Sequence, residues 1–302
     1  MGYALKDFGS YVVGGHVHEV RGRAVEEIAF TAQTRYAYDP NGHYAVEGAY
    51  VQFFVPEGRR EGPPVVLVHG GGMSGAMWET TPDGRPGWLH GLLARGHEVH
   101  VIDNVERGRA GWVPGLWQGH AILRTMEEAW SLFRFGPPEG FAARTPFAGQ
   151  RFPVGHLERF AQQFVPRWTS TTGPQVAALS ALLARLGRAS VIAHSQGAAV
   201  AAAAMAAAPG RVARLIALEP SGFTPVGPGT PCPPVHIVFG DYLDCDALWR
   251  GLHAGWQDLA ARHAAVTLVP LAEALPGTSH MPMMDRGSEA GLSVVAGLIE
   301  AG

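Results

Sequence analysis

Beyond Pro64, short apolar runs alternate with segments whose apolar positions recur every three or four residues. Val65–Val68 is continuously apolar, the pattern of a strand buried on both faces. Residues 87–95 read as a helix stopped by Gly96, and 97–102 return as a strand. Further strands are predicted at 190–193, 215–218, 235–239 and 265–269. Over 175–186, Val176, Leu179, Leu182, Leu183 and Leu186 share one helical face before Gly187 ends it. Strands alternating with helices predict an α/β fold, a mostly parallel sheet covered on both sides.

Two regions depart from this rhythm. Residues 11–13 and 16–20 flank Gly14-Gly15 and read as a hairpin, with more strands at 24–30 and 49–55 around the turn Asp39-Pro40-Asn41-Gly42. These predict an antiparallel N-terminal meander at one sheet edge. Residues 112–168 hold four of the eight Trp and seven of the thirteen Phe, broken by Pro114, Pro137-Pro138, Pro146 and Pro153. Such a segment reads as a helical cap or lid insertion, 112–168, in a core formed by 1–111 and 169–302. Its aromatics would supply a small core of its own, and in the functional reading also wall a substrate pocket.

Composition narrows the classes. Lys+Arg number 23 against Asp+Glu 26, a balance that argues against a nucleic-acid binder, which would need a basic face to neutralise phosphates. An apolar fraction of 47% excludes disorder. No apolar run approaches the roughly 20 residues of a membrane span, and the start of the chain lacks an export-type apolar stretch, so a cytoplasmic protein is expected. Cys232 and Cys245 flank a predicted strand that would hold them about 20 Å apart, so both thiols should be free.

The chemistry concentrates at strand ends. Ser190-Val191-Ile192-Ala193-His194-Ser195-Gln196-Gly197 carries a strand into a sharp turn and then a helix, a nucleophile elbow with Ala193 at the first glycine position. The bland alternative is a serine capping an ordinary helix. His69-Gly70-Gly71-Gly72 follows a buried strand, and its uncovered amides could face an oxyanion at Gly71 or Gly72, with Gln196 as second donor. Gly70, Gly72 and Gly75 also fit a dinucleotide fingerprint with Asp103 as ribose acid. That reading fails because residues 80–84, Thr-Thr-Pro-Asp-Gly, break the helix that a pyrophosphate needs. His280, beyond the last strand, is the candidate base, and Glu219, Asp241 and Asp244 are candidate acids in the order Ser…acid…His.

These residues resemble the α/β-hydrolase-fold serine esterases, from about Val65 to the C-terminus. Residues 107–111, Arg-Gly-Arg-Ala-Gly, are similar to a turn common in that fold. His69 to Gly72, residues 77–84, 193–197, Leu218-Glu219-Pro220 and Ser279-His280-Met281 resemble a bacterial alkaline lipase/carboxylesterase branch with a glutamate acid after the sixth strand of the fold. The resemblance implies Ser195 as nucleophile, His280 as base and Glu219 as acid, with a homodimer as a further implication.

The other histidines are background. His97 and His100 face opposite sides of a predicted strand, and His16 and His18 lack a third ligand, so no metal is expected, nor any cofactor. Met73, Trp78, His194 and Met281 near the catalytic loops are candidate substrate-pocket residues, with core filling as the plainer role. No basic cluster near the pocket points to a phosphorylated or polyanionic substrate. The expected function is a serine carboxylesterase acting on a small-molecule ester with a bulky apolar or aromatic portion. An amidase, a carbon–carbon bond hydrolase with the same triad, and a non-catalytic binding protein of this fold are the alternatives.

Overall fold

The computed structural model describes residues 3–113, 115–223 and 232–301. In chain order the elements are β1 (Leu5–Val20), β2 (Glu26–Ala29), β3 (Arg35–Tyr38), β4 (Gly42–Pro56), β5 (Val65–Val68), α1 (Trp88–Ala94), β6 (Val99–Asp103), α2 (Met126–Leu132) and α3 (Leu157–Ala161). There follow α4 (Thr172–Leu186), β7 (Ala189–His194), α5 (Gln196–Ala207), β8 (Val212–Leu218), β9 (Val235–Phe239), α6 (Ala247–Arg262), β10 (Val266–Pro270) and α7 (Ser288–Glu300). Eight strands form one sheet in the order β1-β4-β6-β5-β7-β8-β9-β10. From β6 to β10 every neighbour pair is parallel, while β1–β4 and β4–β6 are antiparallel.

Strand periodicity explains the two cores. Val66, Val68, Val191, Ala193, Leu215 and Ala217 point to one face, under α4, α5 and α6. Val65, Leu67, Ile192, Ile216 and Leu218 point to the other, with α1, α7 and the insertion. Because both faces are covered, these strands read as unbroken apolar runs. Helix α4 starts three residues before its predicted onset, since Pro174 sits in the first turn, where no backbone donor is needed. Gly187 ends it at a φ of 80°.

The N-terminal hairpin expected at Gly14-Gly15 is absent. Instead β1 runs straight through and pairs with β4 from Leu5↔Pro56 to Val20↔Gly42. The two glycines have positive φ, but they admit close neighbours rather than reverse the chain: a Cβ on Gly15 would stand 2.7 Å from the Val46 carbonyl oxygen. The reversal is made by β2 and β3, which form a separate two-stranded sheet.

Residues 115–168 lie between β6 and α4 and do not enclose a core of their own. Trp130, Phe133, Phe135, Phe152 and Phe160 merge with Trp78, Trp88 and Met281 into the second core. Phe135 and Phe152 stack with ring centroids 3.8 Å apart. Both cysteines are free thiols. Among the described residues no helix is long and apolar enough to cross a membrane.

Candidate active site

The loops that follow β5, β7, β8, β9 and β10 all emerge at the carboxyl edge of the sheet, where open α/β sheets bind ligands. Between β5 and β7 the strand order reverses, and there the glycine run faces Ser195. Ser195 has φ 52° and ψ −120°, strained for a residue with a Cβ. Its N–H donates to the Leu218 carbonyl (2.9 Å), which fixes the turn to the neighbouring strand. Helix α5 can start directly behind it because residue 197 is glycine; a Cβ there would stand 2.3 Å from the His69 carbonyl oxygen.

Glu219 follows β8, also with positive φ (50°), and its side chain is fully buried. Its Oε2 lies 3.2 Å from His280 Nδ1. That nitrogen therefore carries the proton, leaving Nε2 as the acceptor. Arg134 grips the same carboxylate with both ends of its fork, Nη1 to Oε2 (2.9 Å) and Nη2 to Oε1 (2.7 Å). Gly240 N–H donates to Oε1 (2.5 Å). The Arg134 Nε donates to the Asp241 carbonyl (2.8 Å), and its guanidinium lies 4.1 Å from the Trp249 ring centre. Burial pushes the Glu219 carboxyl up, but Arg134 and the His280 bond outweigh it and hold the group down at about 2. Burial lowers His280 below its ordinary value, Glu219 opposes this, and Arg134 and Arg124 reinforce it. The imidazole is thus neutral at neutral pH. Ser195, Glu219 and Arg134 are three of the seven non-glycine residues with positive φ among those described, so backbone strain gathers here.

The other candidate acids do different work. Asp241 accepts from the N–H groups of Gly277 and Thr278 and so shapes the loop before His280. Asp244 is exposed. His280 is sandwiched between Phe133 (centroids 5.1 Å) and Trp249 (4.9 Å). Its backbone is held by His194, whose Nε2–H donates to the His280 carbonyl (2.8 Å). Burial, then the nearby His280, drives His194 down to about 3, so it is neutral. His69 is likewise neutral, at about 4: its Nδ1–H donates to the Gly70 carbonyl (2.9 Å) and its Nε2 accepts from Asn104 N–H (3.0 Å).

Ser195, His280, Gly71 and Gln196 line one cavity of about 180 Å3, walled by Leu132, Phe133, Leu248, Trp249 and Leu252. The Ser195 hydroxyl makes no hydrogen bond among the described residues, a loose setting common before substrate arrives. Gly71 N–H has no partner there either, and Gln196 N–H, at the first helical position, has no acceptor within α5. Both are free to receive an oxyanion. Gly72 does not line the cavity; its φ is 73°, and its carbonyl accepts from Val165 N–H (2.9 Å).

Two expectations need correction. Met73, Trp78, His194 and Met281 are at most 1% exposed and do not line the cavity. Adjacency to a catalytic loop does not fix which way a side chain points, and here the insertion and α6 supply the walls. The site is also more basic than foreseen, because Arg124 and Arg167 line the cavity. Arg134 was missed too, although an arginine inside Leu132-Phe133-Arg134-Phe135 is a signal that a buried partner exists.

The dinucleotide alternative fails in the structure as well. Gly75 to Trp78 form only one short 3-10 turn, and Asp103 is consumed by Gly75 N–H (2.6 Å) and Arg109 (2.7 Å). His97 pairs with Glu300 and His100 with Glu98, so they serve separate partners. Among the described residues no group of three or more His, Cys, Asp or Glu is placed to hold a metal.

Comparison with known proteins bears on the fold and the family. Residues 63–269 match the family described as "alpha/beta hydrolase fold". A structure described as "The Atomic Resolution Structure of a Novel Bacterial Esterase" superposes with a TM-score of 0.84 at 30% identity, covering 99% of this chain and 96% of that one. A protein named "Probable secreted lipase phiG", from Fungal sp. (strain ATCC 74256), is 31% identical over 193 residues. That match covers 60% of this chain and spans about half (51%) of the relative's own length. The chain belongs to the α/β-hydrolase fold family, with an esterase and a lipase among its relatives.

Proposed function

We propose that the protein is a serine carboxylesterase that works through an acyl-enzyme. The observation that carries this reading is the placement of Ser195, on a strained elbow, in the same cavity as an imidazole whose far nitrogen is clamped to a buried, ionised Glu219. Ser195 Oγ attacks the ester carbonyl carbon while His280 Nε2 takes the hydroxyl proton. The carbonyl oxygen becomes an oxyanion and receives the N–H groups of Gly71 and Gln196. Collapse breaks the bond to the leaving alcohol, and His280 returns the proton to that oxygen. Water then repeats the cycle on the acyl-serine and releases the acid. Throughout, Glu219 holds the tautomer and offsets the charge of the imidazolium.

The insertion serves as the cap over this site. Its Phe133, with Leu248, Trp249 and Leu252, favours a substrate with an apolar portion, and the modest cavity favours a short one. Cytoplasmic location and a homodimer complete the reading and are checked by fractionation and by mass in solution.

The test is hydrolysis of p-nitrophenyl esters from acetyl to long acyl chains. Wild type should turn over the short members fastest, and Ser195→Ala should abolish turnover while its circular dichroism stays native. Substantial residual activity in Ser195→Ala would sink the assignment.

A further inference from the structure

Two guanidinium groups in the catalytic cavity have no task in that reaction. Arg124 precedes α2, Arg167 closes the insertion, and both line the cavity with Ser195 and His280. Arg167 packs on the oxyanion loop: its Nη1 lies 2.7 Å from where a Cβ on Gly71 would stand. Arg124 lies 5.5 Å from the centre of the Phe133 ring, which itself stacks on His280.

Neither cation is adequately matched by the protein. The Arg167 side chain has no ion-pair or hydrogen-bond partner among the described residues, and its buried Nε has no acceptor. Residues 1, 2, 114, 224–231 and 302, outside that description, include no acidic side chain. Arg124 pairs only with Glu128, which is half exposed, and its own Nε is buried without an acceptor. Glu106 is buried and meets this segment by accepting from Trp168 N–H (2.8 Å), next to Arg167, but its carboxylate is already engaged by Arg107 Nε (2.8 Å). Partly buried cations short of an anion are costly, so a structure that keeps one unpaired and one matched only by a half-exposed glutamate beside its nucleophile is organised for an anion from outside.

We propose that the ester cleaved at Ser195 carries a carboxylate, and that Arg124 and Arg167 receive it. The inference rests on the esterase reading and names its substrate class. A planar carboxylate matches the guanidinium fork. With Glu128 offsetting Arg124, the pair presents about one net positive charge, suited to a monoanion rather than to a phosphate carrying about two. Leu248 and Leu252 then seat the apolar part of the molecule.

Two measurements test it. The first compares monomethyl glutarate with methyl pentanoate, which replaces the carboxylate by a methyl group. Wild type should favour the acid ester by at least about 30-fold in kcat/KM, and that ratio should collapse toward one in Arg167→Gln and fall in Arg124→Gln. A wild-type ratio near one overturns the proposal. The second uses calorimetry on Ser195→Ala with glutarate, pentane-1,5-diol and inorganic sulfate. Glutarate should bind far more tightly than the diol and lose at least about 30-fold when Arg167→Gln is added. Equal binding of glutarate and diol, or tighter binding of sulfate, overturns it. If wild type cleaves neither ester while glutarate still binds through both arginines, the esterase reading fails and the carboxylate site stands.

Discussion

Glu219 and Asp285 are both fully buried, and both lie on loops that shape His280, yet they sit in opposite electrical states. Asp285 accepts from Ser279 N–H (2.7 Å) and from the Ser279 hydroxyl (2.8 Å), and burial still pushes it up to about 7. Glu219 is equally dry and is held at about 2. The difference is Arg134, which reaches Glu219 with two charge-assisted bonds and acts on Asp285 only through space. Neutral hydrogen-bond donors do not keep a dry carboxylate ionised; a fixed guanidinium does. The charge that faces the His280 imidazole therefore depends on a residue of the insertion.

The hardest way to break this contrast is Glu219→Gln. It removes the orienting charge and should lower kcat by about 10^4-fold, read in single-substrate kinetics. Activity preserved in that variant would move the acid elsewhere. Next comes Arg134→Met, which leaves a buried carboxylate without its cation. A loss of about 3–5 kcal/mol in urea unfolding is expected. The His280 imidazole also loses a nearby positive charge, so the acid limb of kcat/KM should move to higher pH, while Arg134→Lys should hold that limb closer to wild type. An unmoved limb in Arg134→Met would show that Arg134 only props the fold.

The smallest effect sharpens the comparison through pH. Asp285 is raised from an ordinary 3.8, so its contribution to stability is present in full below about pH 4 and is lost as pH rises through 7. Glu219 is lowered from 4.5, so its contribution is present above about 4.5 and is lost as pH falls toward 2. Asp285→Asn should accordingly gain stability relative to wild type between pH 5 and pH 8, measured by urea midpoints. A constant difference across that range would mean that Asp285 is already ionised at pH 5.

Much of the sheet was readable because a strand buried on both faces leaves an apolar run and small residues at its exit. Val65–Val68 and Val235–Phe239 stand where their runs predicted. The elbow around Ser195 was legible because close helix–strand approach demands Gly197 and the alanines behind it. The pocket was not. Its walls come from Phe133, Trp249, Leu248 and Leu252, on segments far from Ser195 in the chain, and only the fold brings them together. Gly14-Gly15 misled for a related reason: positive φ can serve close contact within a continuous strand as well as a turn.

Arg134 also limits modularity. An insertion between a strand and a helix invites exchange, since its ends are fixed by the sheet and its interior is free to change shape and specificity. Here one of its residues is the counter-ion of an acid that lies 85 positions further along the chain. A chimera that grafts a foreign segment over 112–168 would take away the cation that keeps Glu219 ionised, whatever pocket it built. Recombination is therefore expected to succeed at crossover points that leave Leu132 to Phe135 in place, and to fail, with a correctly folded sheet, at points that do not.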